Sequence, residues 1–439
     1  MTELKRHIGL FHLTMYGVGL ILGAGIYVLI GEATALAGNA TWISFLLGAI
    51  VAAFAGLSYA ELTALFPRAA AEYVFVKNAF KNNFIAFIIG WLTAITGMIT
   101  AATVSLGFGG YFSQFLNIPI IASAILLIGG LSFLNFVGIR ESAWANTIFA
   151  IITAAGLGLI IFLGFTFETK ESIDYYEAPL GISGIILAFV LIFFAFIGFE
   201  DMANVAEEVK KPQKNLPRGI ILSIAITGII YVLVALAAVR VVNWAELGQS
   251  AAPLAEIAQR SIGFGGNVTL SVIALFATAS TVLITLIAGA RILYGMAKQK
   301  SLPFFLSKVH SKTHTPWIAV ICIMLIAMAF AFVGDIVIVA NITVFAIVIT
   351  FAMINLSVIL LRYIEPELKR PFKVPFNIGK FPILPLFGLI TTLYMAIQFD
   401  FEIIMVGFAI MGIGAVFYLF HNKQKKNEIN SNDENQTKN

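Results

Sequence analysis

The chain is poor in charged residues, which make up 11% of its 439 residues. A soluble domain carries about 25% charged residues, whereas here 60% of the residues are hydrophobic. Long apolar runs follow one another with few charges between them. A soluble globular protein is therefore excluded, and the sequence predicts a polytopic membrane protein.

Cysteine is nearly absent, since Cys322 is the single one. One cysteine excludes an internal disulfide and says little about the redox compartment. The five histidines lie at predicted span ends or in inner loops and form no metal-ligand constellation. The sequence therefore predicts neither a metal centre nor a cofactor.

Motifs of membrane-embedded enzymes are missing as well. The chain contains neither H-E-x-x-H nor G-x-S-x-G, the patterns that build a zinc site or a serine nucleophile. No basic patch interleaves with exposed aromatic residues, as nucleic-acid binding would require. We therefore expect no enzymatic activity and no nucleic-acid partner.

Apolar runs long enough for a bilayer-spanning helix of about 20 residues occur twelve times. The predicted fold class is all-α, with 12 transmembrane helices in a single transporter domain, 1–421. The tail, 422–439, is rich in Asn, Lys, Glu and Gln and is expected to be disordered. The predicted spans are 12–31, 41–66, 84–115, 119–138, 144–167, 181–206, 218–243, 267–298, 316–333, 338–361, 383–398 and 401–421.

Positive charge is distributed unevenly over the predicted loops. With the N-terminus inside, 24 of the 27 Lys and Arg residues fall in inner segments, and only Lys170, Arg240 and Arg260 fall outside. Loops rich in Lys and Arg stay on the cytoplasmic side. The sequence thus predicts a multi-pass protein of the cell membrane with cytoplasmic N- and C-termini.

The first predicted span is interrupted by glycines, among them Gly19, Gly23 and Gly25. Each glycine inside a helix costs about 1 kcal/mol relative to alanine. An unwound stretch at mid-membrane frees N–H and C=O groups that can hold the carboxylate and the ammonium of a zwitterion. This pattern favours a transporter. The alternative is close helix packing through the small-xxx-small pair Gly19 and Gly23.

The sixth predicted span is interrupted at Gly198, which Glu200 and Asp201 follow. Carboxylates inside a membrane are costly and usually functional. Interrupted spans at matching positions of two halves point to a site near the midplane. The positions in spans one and six predict a 5+5 inverted repeat, about 12–167 and 181–361, with two extra C-terminal helices at about 383–421.

Further motifs extend over nearly all predicted spans, and their combination in this order is specific. They are Gly23-Ala24-Gly25-Ile26-Tyr27, Tyr59-Ala60-Glu61-Leu62, Phe66-Pro67-Arg68, Glu72-Tyr73, Gly107-Phe108, Gly110-Tyr111-Phe112, Ile197-Gly198-Phe199-Glu200, Ala206-Glu207-Glu208-Val209-Lys210-Lys211-Pro212, Leu216-Pro217-Arg218, Arg291-Ile292-Leu293-Tyr294-Gly295-Met296-Ala297, Arg362-Tyr363 and Arg370-Pro371-Phe372-Lys373-Val374-Pro375. With these motifs the chain resembles amino-acid permeases of the amino acid–polyamine–organocation (APC) superfamily, which have the LeuT-type fold.

The resemblance implies roles for individual residues. The N–H groups of Ala24 and Gly25 would bind the substrate carboxylate. The carbonyls of Ile21, Phe194 and Ile197 would bind the ammonium, with Phe194 also acting as an aromatic lid. The full substrate-binding set predicted is Ile21, Gly23, Ala24, Gly25, Ile26, Thr96, Thr100, Phe194, Ile197, Gly198 and Thr285.

The chain departs from the family in span five, where several proton-coupled members carry a lysine and this chain has Thr153. Three interpretations stay open: no coupled ion, proton coupling through Glu200, or sodium coupling through hydroxyl and carbonyl oxygens, which suit a hard cation. The predicted coupling and gating residues are Glu200, Thr153, Ser280 and Thr281, joined for sodium by the carbonyls of Gly19 and Leu22.

Glu200 has two interpretations: a cap for the second half-helix, or a gating or proton-sensing acid. It is also the only acid that the sequence puts near the pocket, while a cationic substrate normally needs a counter-charge. A secondary transporter for neutral amino acids is therefore predicted. The alternatives are a cationic amino acid or polyamine transporter or exchanger and, from a different class, a membrane sensor that does not transport.

Overall fold

The computed structural model describes residues 8–436, except 69–70, 114, 138–142, 169–171, 204, 207–208, 299–301, 312 and 314. Within these residues the chain is almost entirely helical, and one two-stranded antiparallel hairpin connects two of the helices. Eight described helical segments are long and apolar enough to cross a membrane, and four shorter apolar helices accompany them. The predicted all-helical, polytopic class is confirmed, while the count of twelve crossings and the repeat stay predictions.

Sixteen α-helices and two strands make up the described part of the chain. The helices are α1 (Leu10–Ile21), α2 (Gly25–Ala37), α3 (Thr41–Leu65), α4 (Ala71–Phe80), α5 (Asn83–Phe112), α6 (Ile120–Val137), α7 (Ala143–Thr166), α8 (Gly181–Ile192), α9 (Pro212–Val241), α10 (Trp244–Leu247), α11 (Pro253–Ile262), α12 (Phe264–Lys298), α13 (Trp317–Ala331), α14 (Ile336–Ile364), α15 (Ile383–Ala396) and α16 (Phe401–Gln436). The hairpin strands are β1 (Asn377–Ile378) and β2 (Phe381–Pro382), paired antiparallel.

Every predicted span coincides with helical backbone, because an apolar segment in a bilayer must satisfy its own N–H and C=O groups. Two spans consist of separate pieces: the first is α1 plus α2, and the sixth is α8 followed by short 3-10 helices. Several predicted positions, namely 1–7, Arg140, Lys170, Glu207, Glu208, Lys300, Lys312 and Lys438, lie outside the described residues.

The predicted disorder of the C-terminal tail stays a prediction. Helix α16 continues to Gln436, so helical backbone covers most of the tail 422–439. Lys, Glu and Gln have high helix propensity, and no proline or glycine follows His421 to end the helix. The boundary of the transmembrane domain at residue 421 stays a prediction.

The interior is formed chiefly by pairs of helices far apart in sequence, such as α3 against α9, α5 against α12 and α1 against α9. Tyrosines are among its largest fully buried side chains. A buried tyrosine needs a partner for its hydroxyl: Tyr59 donates to the Glu72 carboxylate at 3.1 Å, and Tyr111 donates to the Tyr27 carbonyl at 2.7 Å. The second of these bonds ties α5 to α2 beside the candidate site.

Candidate functional site

The first helix break lies between Ile21 and Gly25. Helix α2 begins there without any side-chain cap, since its N-cap residue is Ala24. The N–H of Ala24 donates to Thr281 Oγ1 over 3.3 Å, whereas those of Gly25 and Ile26 have no acceptor among the described residues. Unsatisfied N–H groups at a helix N-terminus carry about half a positive unit charge. The break thus presents an open positive end.

The second break follows Phe193–Phe196, a short 3-10 helix. Ile197 is extended, and Gly198 has a φ of +125°, which glycine adopts more readily than any other residue. The buried carboxylate of Glu200 accepts a hydrogen bond from the Gly198 N–H at 2.9 Å. This contact is the one expected if Glu200 caps the second half-helix. A gating or proton-sensing role for Glu200 stays a prediction.

The two breaks lie against each other. A Cβ atom added at Gly25 would be 2.6 Å from Ala195 Cα, and one added at Gly198 would be 3.1 Å from the Leu20 carbonyl oxygen. Such an approach leaves no room for a side chain at Gly25. The two interruptions, more than 170 residues apart in the sequence, therefore lie at one site in the structure.

Tyr231 on α9 joins the two breaks from one side. Its hydroxyl lies 2.5 Å from the Ile21 carbonyl oxygen and 3.0 Å from that of Ala195. Sequence analysis missed both Tyr231 and Ala195; the available signal was a tyrosine in an apolar span, which must place its hydroxyl on an acceptor. The carbonyl of Ile21, predicted to hold an ammonium, thus already accepts one hydrogen bond and has one lone pair left.

The other two carbonyls predicted to bind the ammonium, those of Phe194 and Ile197, differ in their hydrogen bonds. The Phe194 carbonyl accepts the N–H of Ile197 at 3.2 Å, and the Phe194 side chain is buried. The Ile197 carbonyl receives no hydrogen bond from any described donor. The second break therefore offers at least one open acceptor close to the open donors of the first.

Thr281 on α12 lies directly at the first break. Its hydroxyl would be 2.9 Å from a Cβ added at Gly23, and it donates to the Ala277 carbonyl at 3.0 Å. Ser280, the preceding residue, is half-buried. The structure thus brings one of the predicted sodium ligands to the break, while a sodium site with Gly19 and Leu22 stays a prediction.

The three predicted pocket threonines differ in their hydrogen bonds. Thr96 donates to Leu92 and Thr285 to Thr281, each within its own helix. The hydroxyl of Thr100, a residue only 7% exposed, has no partner among the described residues.

Thr100 also lies near the contact between α5 and α12. A Cβ at Gly97 would be 3.8 Å from the Thr285 backbone oxygen, and Thr100 is one turn away on the same face of α5. An orphaned buried hydroxyl near the contact between α5 and α12 is an available contact for a ligand.

Thr153 on α7 contacts helix α2 at Tyr27, beyond the first break rather than at the break itself. Its carbonyl accepts a hydrogen bond from the Tyr27 hydroxyl at 2.7 Å, and its side chain is buried. A Cβ at the neighbouring Gly156 would be 2.6 Å from the same hydroxyl. The contact holds α2 in place, and a coupling role for Thr153 stays a prediction.

Together these observations describe an all-helical membrane protein in which two interrupted helices expose backbone polar groups to each other, the arrangement of a class of secondary transporters. A family model described as amino acid permease matches residues 8–420. The chain therefore belongs to the amino acid permease family of the APC superfamily, as the motifs predicted, and is a transmembrane permease.

Three relatives illustrate the range of this similarity. The chain is 30% identical to the branched-chain amino acid permease BcaP of Bacillus subtilis, over 96% of this chain and 94% of that protein. It is 28% identical to the methylthioribose transporter of the same organism, over 88% and 86% of the two chains. It is 27% identical to the vacuolar cationic amino acid transporter 4 of Arabidopsis thaliana, over 83% and 64%.

Proposed function

We propose that the protein is a secondary transporter that moves neutral amino acids across the cell membrane by alternating access, with branched-chain amino acids as the first substrates to test. The observation that carries this proposal is the uncapped start of α2, where the N–H groups of Gly25 and Ile26 have no acceptor in the described part of the chain.

A carboxylate fits this open helix end. Buried N–H groups without a partner cost free energy, and the positive end of a helix favours an anion. The close contact of Gly25 with Ala195 puts this end beside the second break. An amino acid bound there would satisfy the donors with its carboxylate and lie between the two interrupted helices.

An ammonium group fits the backbone carbonyl oxygens at the two breaks. The Ile197 carbonyl has no donor among the described residues, and the carbonyls of Ile21 and Phe194 each retain one lone pair. A charged ammonium needs several such oxygens when it leaves water. Backbone groups alone can thus hold both ends of a zwitterion, which leaves the substrate side chain to set specificity.

A neutral side chain is favoured by the position of Glu200. Its carboxylate is already hydrogen-bonded to the Gly198 N–H and is less available as the counter-charge of a cationic substrate. The similarity to a branched-chain amino acid permease points in the same direction. A cationic amino acid would instead have to draw Glu200 away from its capping contact.

The remaining predictions belong to the same proposal. The uneven distribution of Lys and Arg supports cytoplasmic termini, and the meeting of the two breaks supports a repeat of five helices in each half. Imposed proton and sodium gradients distinguish coupling to protons, coupling to sodium and transport without a coupled ion. The residues to vary are Glu200, Thr153, Ser280 and Thr281.

Counterflow in proteoliposomes tests the proposal without knowledge of the coupling ion. Vesicles are loaded with one unlabelled amino acid and offered the same compound with a label. We expect accumulation of leucine, isoleucine or valine that exceeds accumulation of lysine. Methylthioribose should compete poorly, because it has neither a carboxylate nor an ammonium for the two helix ends.

Each other result changes the conclusion. Preferential accumulation of lysine or of a polyamine would overturn the neutral specificity. Strong competition by methylthioribose would overturn recognition of a zwitterion by the helix ends. No accumulation of any amino acid by folded protein, checked by its thermal unfolding, would favour a sensor that does not transport.

A further inference from the structure

A strongly basic pocket lies at the end of α14, far along the chain from both breaks. It has a volume of about 310 Å³ and is enclosed by the last turn of α14, the loop after it and the β1–β2 hairpin. Its lining residues are Arg362, Pro366, Leu368, Arg370, Lys373, Gly379 and Lys380. Four of these seven carry a positive charge and none carries a negative one.

The wall of the pocket contains one buried carboxylate and two guanidinium groups. Glu61 on α3 accepts from Arg362 Nε at 2.8 Å and Nη2 at 2.5 Å, and from the Val374 N–H at 2.8 Å. Arg370 Nε lies within ion-pair range of the same carboxylate, at 3.3 Å. Because Glu61 is 1% exposed and Arg362 is 3% exposed, one negative charge faces two positive charges away from water.

The excess positive charge of the two guanidinium groups over Glu61 is not removed by deprotonation. Burial lowers the pKa of Arg370, Glu61 raises it, and the positive charge of Arg362 lowers it again. An arginine nevertheless stays protonated in a protein. The remaining donors of Arg370 are bound to backbone carbonyls at the end of α14, such as that of Leu361 at 2.9 Å, and these bonds hold the guanidinium in position without neutralising it.

Two lysines add to the excess. Lys373 and Lys380 are exposed at the pocket, and neither has a hydrogen bond or ion pair with any described residue. The nearby carboxylate of Glu365 accepts an ion pair from Lys81 at 3.0 Å instead. The pocket with its buried carboxylate therefore has a net charge of +3 and offers two flexible ammonium groups.

Large exposed apolar side chains lie near the pocket, on the hairpin and at the end of α14. Phe376 is 71% exposed and Ile378 is 72% exposed on the hairpin, and Tyr363 is exposed at the end of α14. Large apolar side chains that are exposed at the end of a membrane-spanning helix are stabilised in the bilayer interface. The pocket thus lies where the head groups of membrane lipids are found.

We propose that this pocket binds the phosphate group of an anionic membrane lipid, with the acyl chains of the lipid along Phe376 and Ile378. Guanidinium and ammonium groups together are the usual partners of a phosphate. This end of α14 is also the end that the distribution of Lys and Arg puts at the cytoplasmic side, where anionic head groups attract basic segments. The proposal rests on the membrane location and is independent of the transported substrate.

The experiment compares the wild type with the double variant Lys373→Gln and Lys380→Gln in detergent. Native mass spectrometry measures binding of phosphatidylglycerol, and thermal unfolding measures its effect on stability. Since each basic residue near a charged surface strengthens binding by about fivefold, we expect roughly 30-fold weaker lipid binding by the double variant. The matched control is Lys214→Gln with Lys308→Gln, which removes the same charge from exposed lysines outside the pocket.

A second arm separates the two sources of a phosphate group. Glycerol phosphate, which has the head group without acyl chains, is titrated in the same assays. Weak binding of glycerol phosphate with tight binding of the lipid supports the proposal. Equal binding of both compounds would assign the pocket to a soluble phosphate ligand and overturn the lipid. Equal lipid binding by the pocket variant and the control variant would overturn the site itself.

Discussion

The two helix breaks differ in how their exposed N–H groups are satisfied. At the second break, the N–H of Gly198 donates to the carboxylate of Glu200, two residues further along the chain. At the first break, α2 begins at Gly25 after the N-cap residue Ala24, which provides no side-chain cap, and the N–H groups of Gly25 and Ile26 have no acceptor among the described residues. One break contains its own carboxylate, and the other lacks one.

This difference concerns only the N–H groups of the two breaks. A helix N-terminus inside a membrane protein needs an anion or acceptors to be stable. At the second break the chain supplies its own carboxylate, Glu200, to the Gly198 N–H. The N–H groups of the first break have no such partner among the described residues, which supports the proposal that the substrate's carboxylate binds there.

The largest effect is expected from Gly25→Val, which fills the first break. The new side chain would start 2.6 Å from Ala195 Cα and displace both the N–H groups and the second break. Two hydrogen bonds to a charged group are worth about 1.5–3 kcal/mol each, so substrate affinity should fall by at least about 100-fold. Binding of labelled leucine to purified protein measures this loss.

Gly158→Val on α7 is the matched control for this change, since no atom lies within 4 Å of a Cβ at Gly158. It should fold and bind as the wild type does. Unchanged substrate affinity of a folded Gly25→Val protein would mean that the carboxylate binds elsewhere.

Thr100→Val tests the orphaned hydroxyl near the contact between α5 and α12. Valine preserves the shape and removes the hydroxyl. If the hydroxyl contacts the substrate, its loss should weaken apparent affinity by roughly tenfold, the value of one hydrogen bond of about 1.4 kcal/mol. The concentration dependence of leucine counterflow measures this shift.

Thr103→Val is the control on the same helix, because the Thr103 hydroxyl is already bonded to the Ile99 carbonyl. Its affinity should stay within about twofold of the wild type. Equal affinities for the wild type and Thr100→Val would leave the orphaned hydroxyl without a role in substrate binding.

Glu200→Gln tests whether the carboxylate of the second break is more than a cap. Glutamine retains an oxygen that can accept from the Gly198 N–H but cannot ionise. We expect nearly unchanged stability, together with a transport rate whose dependence on pH is altered. Initial counterflow rates between pH 5 and pH 8, with Glu402→Gln at an exposed position as control, measure the difference. A wild-type rate at every pH would reduce Glu200 to a cap.

Glu72 on α4 gives the smallest expected effect and concerns stability. Burial, with a contribution from nearby Asp201, raises its pKa from 4.5 to about 7, although the hydrogen bond from Tyr59 opposes the shift. Between these two values the folded protein binds a proton that the unfolded chain has lost, so stability falls as the pH rises from about 4.5 to about 7 and then levels.

Glu72→Gln should remove this decline. The wild type should lose more thermal stability than the variant between pH 5 and pH 7, as measured by unfolding in one detergent. Glu367→Gln, at an exposed site, controls for the charge change. Parallel curves for the wild type and Glu72→Gln would mean that Glu72 ionises normally in the folded protein.

Much of the fold was predictable because its causes are local. Apolar length alone predicted helical backbone for every span, and glycines marked the interruption before Gly25 and the one at Gly198. The tail is a different case, because its polar composition predicts that it is not buried in a core, while the same Lys, Glu and Gln residues also favour helical backbone.

The candidate site was predictable in part. The glycines and Glu200 were evident, and the capping interpretation of Glu200 agrees with its contact to the Gly198 N–H while it stays a prediction. Tyr231 and Ala195 were missed, because nothing in an apolar span shows which carbonyl a tyrosine will reach. The distinction between Thr96 and Thr100 was equally hidden, since both are threonines on one helix and only their surroundings differ.

Hydrophobicity and glycine act on the segment that contains them, so the amino-acid sequence alone predicts that this protein lies in a membrane, where its helices run and where two of them break. The packing of the whole chain is what brings Gly25 to Ala195, lets Tyr231 join both breaks and pairs Glu61 with Arg362, 301 residues away. Such contacts depend on how all the helices pack together, and no single segment specifies them.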